Sequence, residues 1–104
     1  DGDVVIRHIV LFTLQGDDDA ARAAATERLR ESLEPLVGVI PGLRSLRLDA
    51  DGSGVAGHWH AALTSEHDSW EALAGYQSHP DHQRVLREVI PQVALDKAVV
   101  DYAL

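Results

Sequence analysis

Hydrophobic residues repeat with a period of two at the start of the chain, over Val4–Leu14. One set of alternate positions is Ile6, His8, Val10, Phe12 and Leu14, and the other is Val5, Arg7, Ile9, Leu11 and Thr13. This period predicts a β-strand. Both sets are mainly apolar, so both faces of the strand need cover. One layer of helices can cover one face, and we expect a second sheet on the other.

The next segment follows Gly16 and predicts a helix that begins at Asp17–Asp19 and runs to about Leu36. Its apolar stripe recurs at spacings of four and three, at Ala25, Leu29, Leu33 and Leu36. The three aspartates can supply the N-cap and favourable charge at the helix start. We prefer this interpretation to a metal site, because adjacent carboxylates do not converge on one ion. Pro35 should kink or end the helix.

Two more strands are predicted, over Leu43–Asp49 and over Gly57 to about His67. In the first of these, Leu46 and Leu48 should face the core, whereas Ser45 and Arg47 should face solvent. The residues between the strands, 49–54, are rich in Asp, Gly and Ser and predict a polar loop.

A broken helix and a last strand complete the chain. Asp68–Glu71 resembles a capping signal for a helix that runs to about Tyr76. Pro80 should begin a second helical segment, with His79 or Ser78 as its cap. Its buried stripe is predicted at Val85, Leu86, Val89 and Ile90, Pro91 interrupts it, and Lys97–Leu104 reads as the final strand.

The predicted order is β-α-β-β-α-β, which indicates a single α+β domain over residues 1–104 with the ferredoxin-like topology. That topology gives a four-stranded antiparallel sheet with helices on one face. The simplest cover for the other face is a second copy of the chain. We therefore expect a homodimer in which two sheets pack into an α/β barrel.

Composition narrows the range of functions. The net charge of −8 argues against nucleic-acid and anionic membrane partners, since both need clustered Lys and Arg. The absence of Cys excludes thiolate metal ligands and thiol nucleophiles. No apolar run approaches the ~20 residues of a membrane span and no secretory signal is visible, so we expect a cytoplasmic protein. We also expect no metal and no cofactor.

The segment from Tyr76 to His82 brings together a phenol and two imidazoles around Pro80. His82 could act as a base near neutral pH, or it could be a partly buried imidazole bonded to a carbonyl. Tyr76 could be a hydrogen-bond donor in a pocket, or a core ring whose hydroxyl is bonded to backbone. His79 is read mainly as a helix cap. His8 lies on an apolar face, where it either lines a pocket or is a satisfied core group.

Other polar and aromatic residues have simpler interpretations. His58 and His60 would share a face of the third strand as two possible zinc ligands, but no third ligand is identifiable. His67 is read as solvated. Trp59 and Trp70 could cap a ligand pocket or fill the core of the dimer. Asp101 in the last strand is expected to pair with Arg7 in the first.

Four motifs in this order resemble the stress-responsive α/β-barrel (Dabb) family over nearly the whole chain. They are Arg7-His8-Ile9-Val10-Leu11-Phe12, Ile40-Pro41-Gly42-Leu43, Tyr76 with His79-Pro80-Asp81-His82, and Val99-Val100-Asp101-Tyr102. The resemblance implies a ferredoxin-like subunit, a dimeric barrel and a cavity between sheet and helices.

The chain is also similar at three pocket positions to a plant olivetolic acid cyclase of that family. The resemblance implies that His82 is a base that removes a proton next to a carbonyl. It also implies that Tyr76 hydrogen-bonds the developing enolate oxygen or helps to orient the base, and that His8 lines or polarises the pocket. Leu33, His79 and Trp70 are further candidates for substrate contact. The chain departs from the cyclase at Ala61, where the cyclase has His, and near Leu33 or Arg30, where it has Tyr, so we expect a differently shaped cavity and another substrate.

Three functions remain open from the sequence. The first is a small dimeric stress-responsive protein with a pocket for a hydrophobic or aromatic small molecule. The second is a cofactor-free polyketide cyclase or related lyase that closes a ring by an intramolecular aldol step. The third is a cofactor-independent monooxygenase of the related barrel fold.

Overall fold

The computed structural model describes residues 4–104; residues 1–3, which the predicted domain includes, lie outside the described residues. The strands are β1 (Ile6–Leu14), β2 (Leu43–Ala50), β3 (Ala61–His67) and β4 (Ala94–Ala103). The helices are α1 (Asp19–Leu33), α2 (Trp70–Ser78), α3 (Pro80–Glu88) and the single turn α4 (Ile90–Val93), and a 3-10 turn over Glu34–Leu36 follows α1. Within the described range, no helix has both the length and the hydropathy to cross a bilayer.

The four strands form one antiparallel sheet in the order β2-β3-β1-β4. This is the ferredoxin-like α+β topology that the element order predicts. The two central strands are β3 and β1, and the two edges are β2 and β4. The register places His8 opposite Ser65 on one side and opposite Asp101 on the other.

The core lies between the helices and one face of the sheet. The inner positions of β1 are all buried, as the alternation predicts, and Leu46 and Leu48 of β2 are buried while Ser45 and Arg47 are exposed. The predicted stripe of α1 is buried as well, at Ala25, Leu29, Leu33 and Leu36. Burial of such side chains contributes about 25 cal/mol per Å² of apolar area and is the main stabilising term.

Helix starts and stops follow local chemistry. The carboxylate of Asp18 accepts from the backbone N–H of Ala21 and caps α1, which gives way to a 3-10 turn at Pro35. The hydroxyl of Ser69 caps α2 by accepting from the N–H of Ala72. The capping signal predicted at Asp68–Glu71 does mark the start of α2. The cap is not Asp68, however, since its carboxylate pairs with Arg44.

The third strand is shorter than predicted. It begins at Ala61, not Gly57, because the chain turns through Gly57 at φ +88°. His58 therefore lies in the preceding loop, where its ring contacts Ser53 and Asp51, and the ring of His60 accepts from the backbone N–H of Leu14. The two histidines do not share a strand face. The last strand begins earlier than predicted, at Ala94.

The outer face of the sheet carries apolar side chains that no described residue covers. Leu11 of β1 and Val100 and Tyr102 of β4 are exposed on this face. Arg7 also lies on it and pairs with Glu66 at 2.7 Å. The expected pair of Arg7 with Asp101 was wrong, since Asp101 lies directly opposite His8 and its side chain belongs to the inner face.

Candidate active-site cleft

A cleft of about 240 Å³ opens between the inner face of β1 and β4 and the helices α2 and α3. This volume lies just below the ~300–1,000 Å³ of typical ligand pockets. Its lining is largely apolar, with a phenol, two imidazoles, two amides and one amine among the apolar groups. The lining residues are His8, Val10, Phe12, Leu33, Leu63, Tyr76, Gln77, His82, Gln83, Leu86, Ile90, Lys97 and Val99.

The break between α2 and α3 brings Tyr76 and His82 together. His79 adopts an extended conformation, with φ −62° and ψ 136°, and its Nδ1 accepts from the backbone N–H of Asp81 to cap α3. Pro80 occupies the first helical position, where its missing N–H is not needed. The chain turns at this point, and the centroids of the Tyr76 and His82 rings lie 4.2 Å apart.

His82 is held as a neutral imidazole with one nitrogen free. Its Nδ1–H donates to the carbonyl of Gln77 at 3.2 Å, which leaves the lone pair on Nε2. The net effect is a lowered pKa of His82, because burial lowers it more than the hydrogen bond to the Gln77 carbonyl raises it. Nε2 makes no hydrogen bond to any residue in the described part of the chain, so it can accept a proton from a bound molecule.

Tyr76 is almost fully buried, at 1% exposure, yet its hydroxyl is not used by the fold. Burial raises its pKa well above the ordinary value, so the phenol stays protonated and serves as a donor. Among residues 4–104 the hydroxyl has no hydrogen-bond partner. The alternative interpretation from the sequence, in which the Tyr76 hydroxyl is bonded to the backbone, therefore does not hold among these residues.

His8 and Asp101 form a hydrogen-bonded pair across β1 and β4. The carboxylate Oδ1 lies 2.5 Å from Nδ1 of the imidazole and accepts its N–H. A carboxylate in this position orients an imidazole and compensates the charge it gains on protonation. The sequence interpretation missed this role of Asp101, and only the strand register could have indicated it.

His67 joins the same cluster from β3. The prediction that it is solvated was wrong, because the residue is 0% exposed. Its Nε2 lies 2.9 Å from the hydroxyl of Ser65, and its ring centroid is 4.8 Å from that of Tyr76. Burial, and then the nearby His8, lower the pKa of His67 to about 4, so the imidazole is neutral.

The other predicted contact residues are distributed unevenly. Leu33 and His8 line the cleft, as proposed from the sequence. His79 does not line it and serves as the cap of α3. Trp70 is 55% exposed and lies outside the cleft, because it is the first residue of α2 and its side chain remains on the surface. Gln83, Lys97 and Val99 line the cleft and were not anticipated.

A second, larger and more polar cleft of about 610 Å³ lies between the β2–β3 loop and the start of α1. Several of its polar lining groups are engaged: Asp51 and His58 are bonded to the neighbouring Ser53, and Arg22 pairs with Asp19. No group of three His, Asp or Glu side chains in residues 4–104 is placed to hold a metal ion. We take the smaller cleft as the candidate site because it combines a phenol and imidazoles with largely apolar walls.

The smaller cleft has the parts for proton transfer. It presents a neutral imidazole that can take a proton, a phenol that can donate a hydrogen bond, and apolar walls that exclude water from a bound molecule.

Comparison with known proteins agrees with the fold. Residues 6–104 match the model of the family described as the stress responsive A/B barrel domain, Dabb. A stress-response A/B barrel domain-containing protein of Arabidopsis thaliana is 32% identical over 98 residues, which are 94% of this chain. The chain spans 36% of the length of that protein.

Two solved structures extend the comparison. A dimeric protein of unknown function with a ferredoxin-like fold, from Bacteroides fragilis, is 26% identical with a TM-score of 0.80, and 96% of each chain is covered. A hydroxynitrile lyase from Passiflora edulis is 15% identical with a TM-score of 0.76, and the match covers 97% of this chain and 94% of the lyase. At 15% identity, the similarity to the hydroxynitrile lyase concerns the fold alone.

Proposed function

Because this chain belongs to the stress-responsive A/B barrel domain family, we propose that it is a small-molecule-binding member whose ligand occupies the cleft between β1, β4 and α2–α3. The observation that carries this proposal is the unused hydrogen-bonding capacity of Tyr76 and His82 at an apolar cleft. Neither the Tyr76 hydroxyl nor Nε2 of His82 is among the described atoms that are closed off from solvent without a partner, so both are open to a ligand in the cleft.

Titration with 1-octanol, followed by two-dimensional NMR, tests ligand binding. We expect saturable shifts at residues that line the cleft. Leu86→Trp should abolish them by filling the cleft, because Leu86 is a half-buried lining residue. Val39→Trp is the matched control, since Val39 is exposed and lies outside the cleft. Shifts that are absent, or that survive Leu86→Trp, would contradict the proposal.

A cofactor-free cyclase or lyase is the second candidate function, and the free Nε2 of His82 favours it. Nε2 would take a proton from the carbon next to a carbonyl, and the electron pair would move onto the carbonyl oxygen as an enolate that Tyr76 stabilises. The enolate carbon would then attack a second carbonyl carbon of the same molecule. The new C–C bond would leave an alkoxide, which recovers the proton from the His82 imidazolium.

Exchange of the α-hydrogens of 2-octanone in D₂O, measured by ¹H NMR, isolates the first step. We expect the protein to accelerate exchange and His82→Asn to abolish the acceleration, since Asn can still donate to Gln77 but cannot take the proton. Tyr76→Phe should slow it by about 10²-fold or more. His58→Gln, in the distant loop, should have no effect. Exchange no faster than in buffer would exclude this second function and leave the binding function standing.

We further propose that the protein is a homodimer through the outer face of its sheet. The exposed side chains of Leu11, Val100 and Tyr102 on that face support this, as does the dimeric Bacteroides relative. Light scattering at micromolar concentration should give twice the chain mass. Val100→Asp should shift the protein to monomer, and Val39→Asp, which adds the same charge at an exposed valine elsewhere, should not. A monomeric parent protein would overturn the proposal.

A further inference from the structure

The cleft differs in charge from the rest of the molecule. The chain has a net charge of −8, yet none of the described residues that line the cleft is Asp or Glu. The lining includes Lys97, the single lysine of the sequence. The carboxylate of Asp101, opposite the lining residue His8, is engaged by His8.

Lys97 lies where its charge acts inside the cleft. It is opposite Phe12 in the register of β1 and β4, on the inner face of the sheet, and its side chain is exposed. After burial, the positive charge of Lys97 is one of the causes that lower the pKa of His82, and both side chains line the same cleft. Lys97 makes no ion pair with any residue of the described chain, so the ammonium is available to a ligand.

The apolar walls and the ammonium group together define a ligand class. We propose that the cleft binds a small amphiphile with an anionic head, such as a carboxylate, and that Lys97 is the residue that selects the anion. This inference rests on the proposed binding function and specifies its ligand. The tail packs against Phe12, Leu33, Leu63 and Leu86, and the head lies beside Lys97.

The volume limits the size of this ligand. An engineered apolar cavity of about 150 Å³ accommodates benzene, and this cleft has about 240 Å³ and is open on one side. An acid with about ten heavy atoms therefore fits. Octanoate has this size, and octanamide is its neutral match in shape.

Calorimetric titration with octanoate and with octanamide at pH ~7.5 tests the inference. We expect octanoate to bind about 10-fold more tightly, and we expect this preference to shrink as salt is raised. Lys97→Met should remove the preference while octanamide binding is kept, because the methionine retains an apolar stem. Arg28→Gln, which removes one positive charge from the exposed face of α1, should leave the preference intact.

The outcomes separate the two proposals. Equal binding of the two probes to the parent protein, or an unchanged preference in Lys97→Met, overturns the role of Lys97 while the binding function stands. Failure of both probes to bind overturns both.

Discussion

Ser65 and His67 lie on the same face of β3 and are joined by a 2.9 Å hydrogen bond inside the core, with both residues fully buried. The Nε2 of His67 is used in this bond, whereas Nδ1 is buried without a partner in the described structure. The fold thus holds a neutral imidazole in a place where a protonated one would be poorly solvated. Burial of this imidazole therefore links the stability of the protein to pH.

Stability should fall as pH is lowered from about 7 to about 5. The pKa of His67 is about 4 in the folded protein, against about 6.5 in an unfolded chain. The unfolded state therefore binds more protons, and the stabilisation present above pH ~6.5 is lost as pH falls toward ~4. The expected loss from this residue is about 2 kcal/mol between pH ~7 and ~5, measured by urea denaturation at each pH.

His67→Gln is the variant that isolates this effect. Its side-chain amide can still bond to Ser65 but does not titrate, so the pH dependence should be weaker by about the same amount. His58→Gln changes an exposed loop histidine and should keep the dependence of the parent protein. A His67→Gln variant with an unchanged pH profile would show that the imidazole titrates normally in the core.

Two substitutions of His79 distinguish its role as a helix cap from a role in ligand contact. His79→Ala removes the acceptor for the N–H of Asp81 and should cost about 1 kcal/mol of unfolding free energy. His79→Asn supplies another good capping side chain and should recover most of that loss. Both variants should bind 1-octanol as the parent does. Impaired binding in folded His79→Asn would mean that the imidazole reaches the ligand.

Gly42 is predicted to be intolerant of a side chain for two reasons. Its φ is +81°, and a Cβ there would lie 2.6 Å from the Cβ of Ala72 in α2. Gly42→Ala should therefore cost about 2–4 kcal/mol, from conformational strain and overpacking together. Gly38→Ala has a similar φ of +89° but open space around it, and should cost about 1–2 kcal/mol. If chemical denaturation gave the same loss of unfolding free energy for both variants, the contact with Ala72 would not contribute to the cost at Gly42.

The Tyr76 hydroxyl should contribute little to stability. Since it has no partner among residues 4–104, Tyr76→Phe should change the unfolding free energy by less than about 0.5 kcal/mol. A hydroxyl held by the backbone would instead cost about 1 kcal/mol on removal. Tyr76→Ala should cost about 3–5 kcal/mol, because the ring fills the core between three imidazoles. Thermal or urea denaturation distinguishes these values.

Local patterns predicted the fold well where neighbours in sequence decide the structure. The alternation in β1 identified its buried face, and Pro80 with His79 identified a helix start, because strand period and helix capping depend on a few consecutive residues. The start of β3 was placed too early because His58 and His60 continue an alternating pattern. The turn at Gly57 interrupts that pattern through backbone geometry, which the side chains do not reveal.

The candidate site depends on contacts between distant residues, and there the sequence was less informative. Tyr76 and His82 are close in the chain and could be grouped at once. The partner of Asp101 depends on the register of β1 against β4, and a shift of one residue would have given the expected pair with Arg7. His67 ends a central strand, where neighbours on both sides bury it although acidic residues flank it in sequence.

The interruption between α2 and α3 determines whether the Tyr76–His82 pair can be moved into another protein. In an uninterrupted helix, the directions of residues six apart differ by about 120°, so Tyr76 and His82 would lie on different sides. Their close approach in this chain comes from the path of the backbone through His79 and Pro80. Moving the two side chains alone into another scaffold would not reproduce the pair, whereas moving the whole segment from Tyr76 to His82 as one module would.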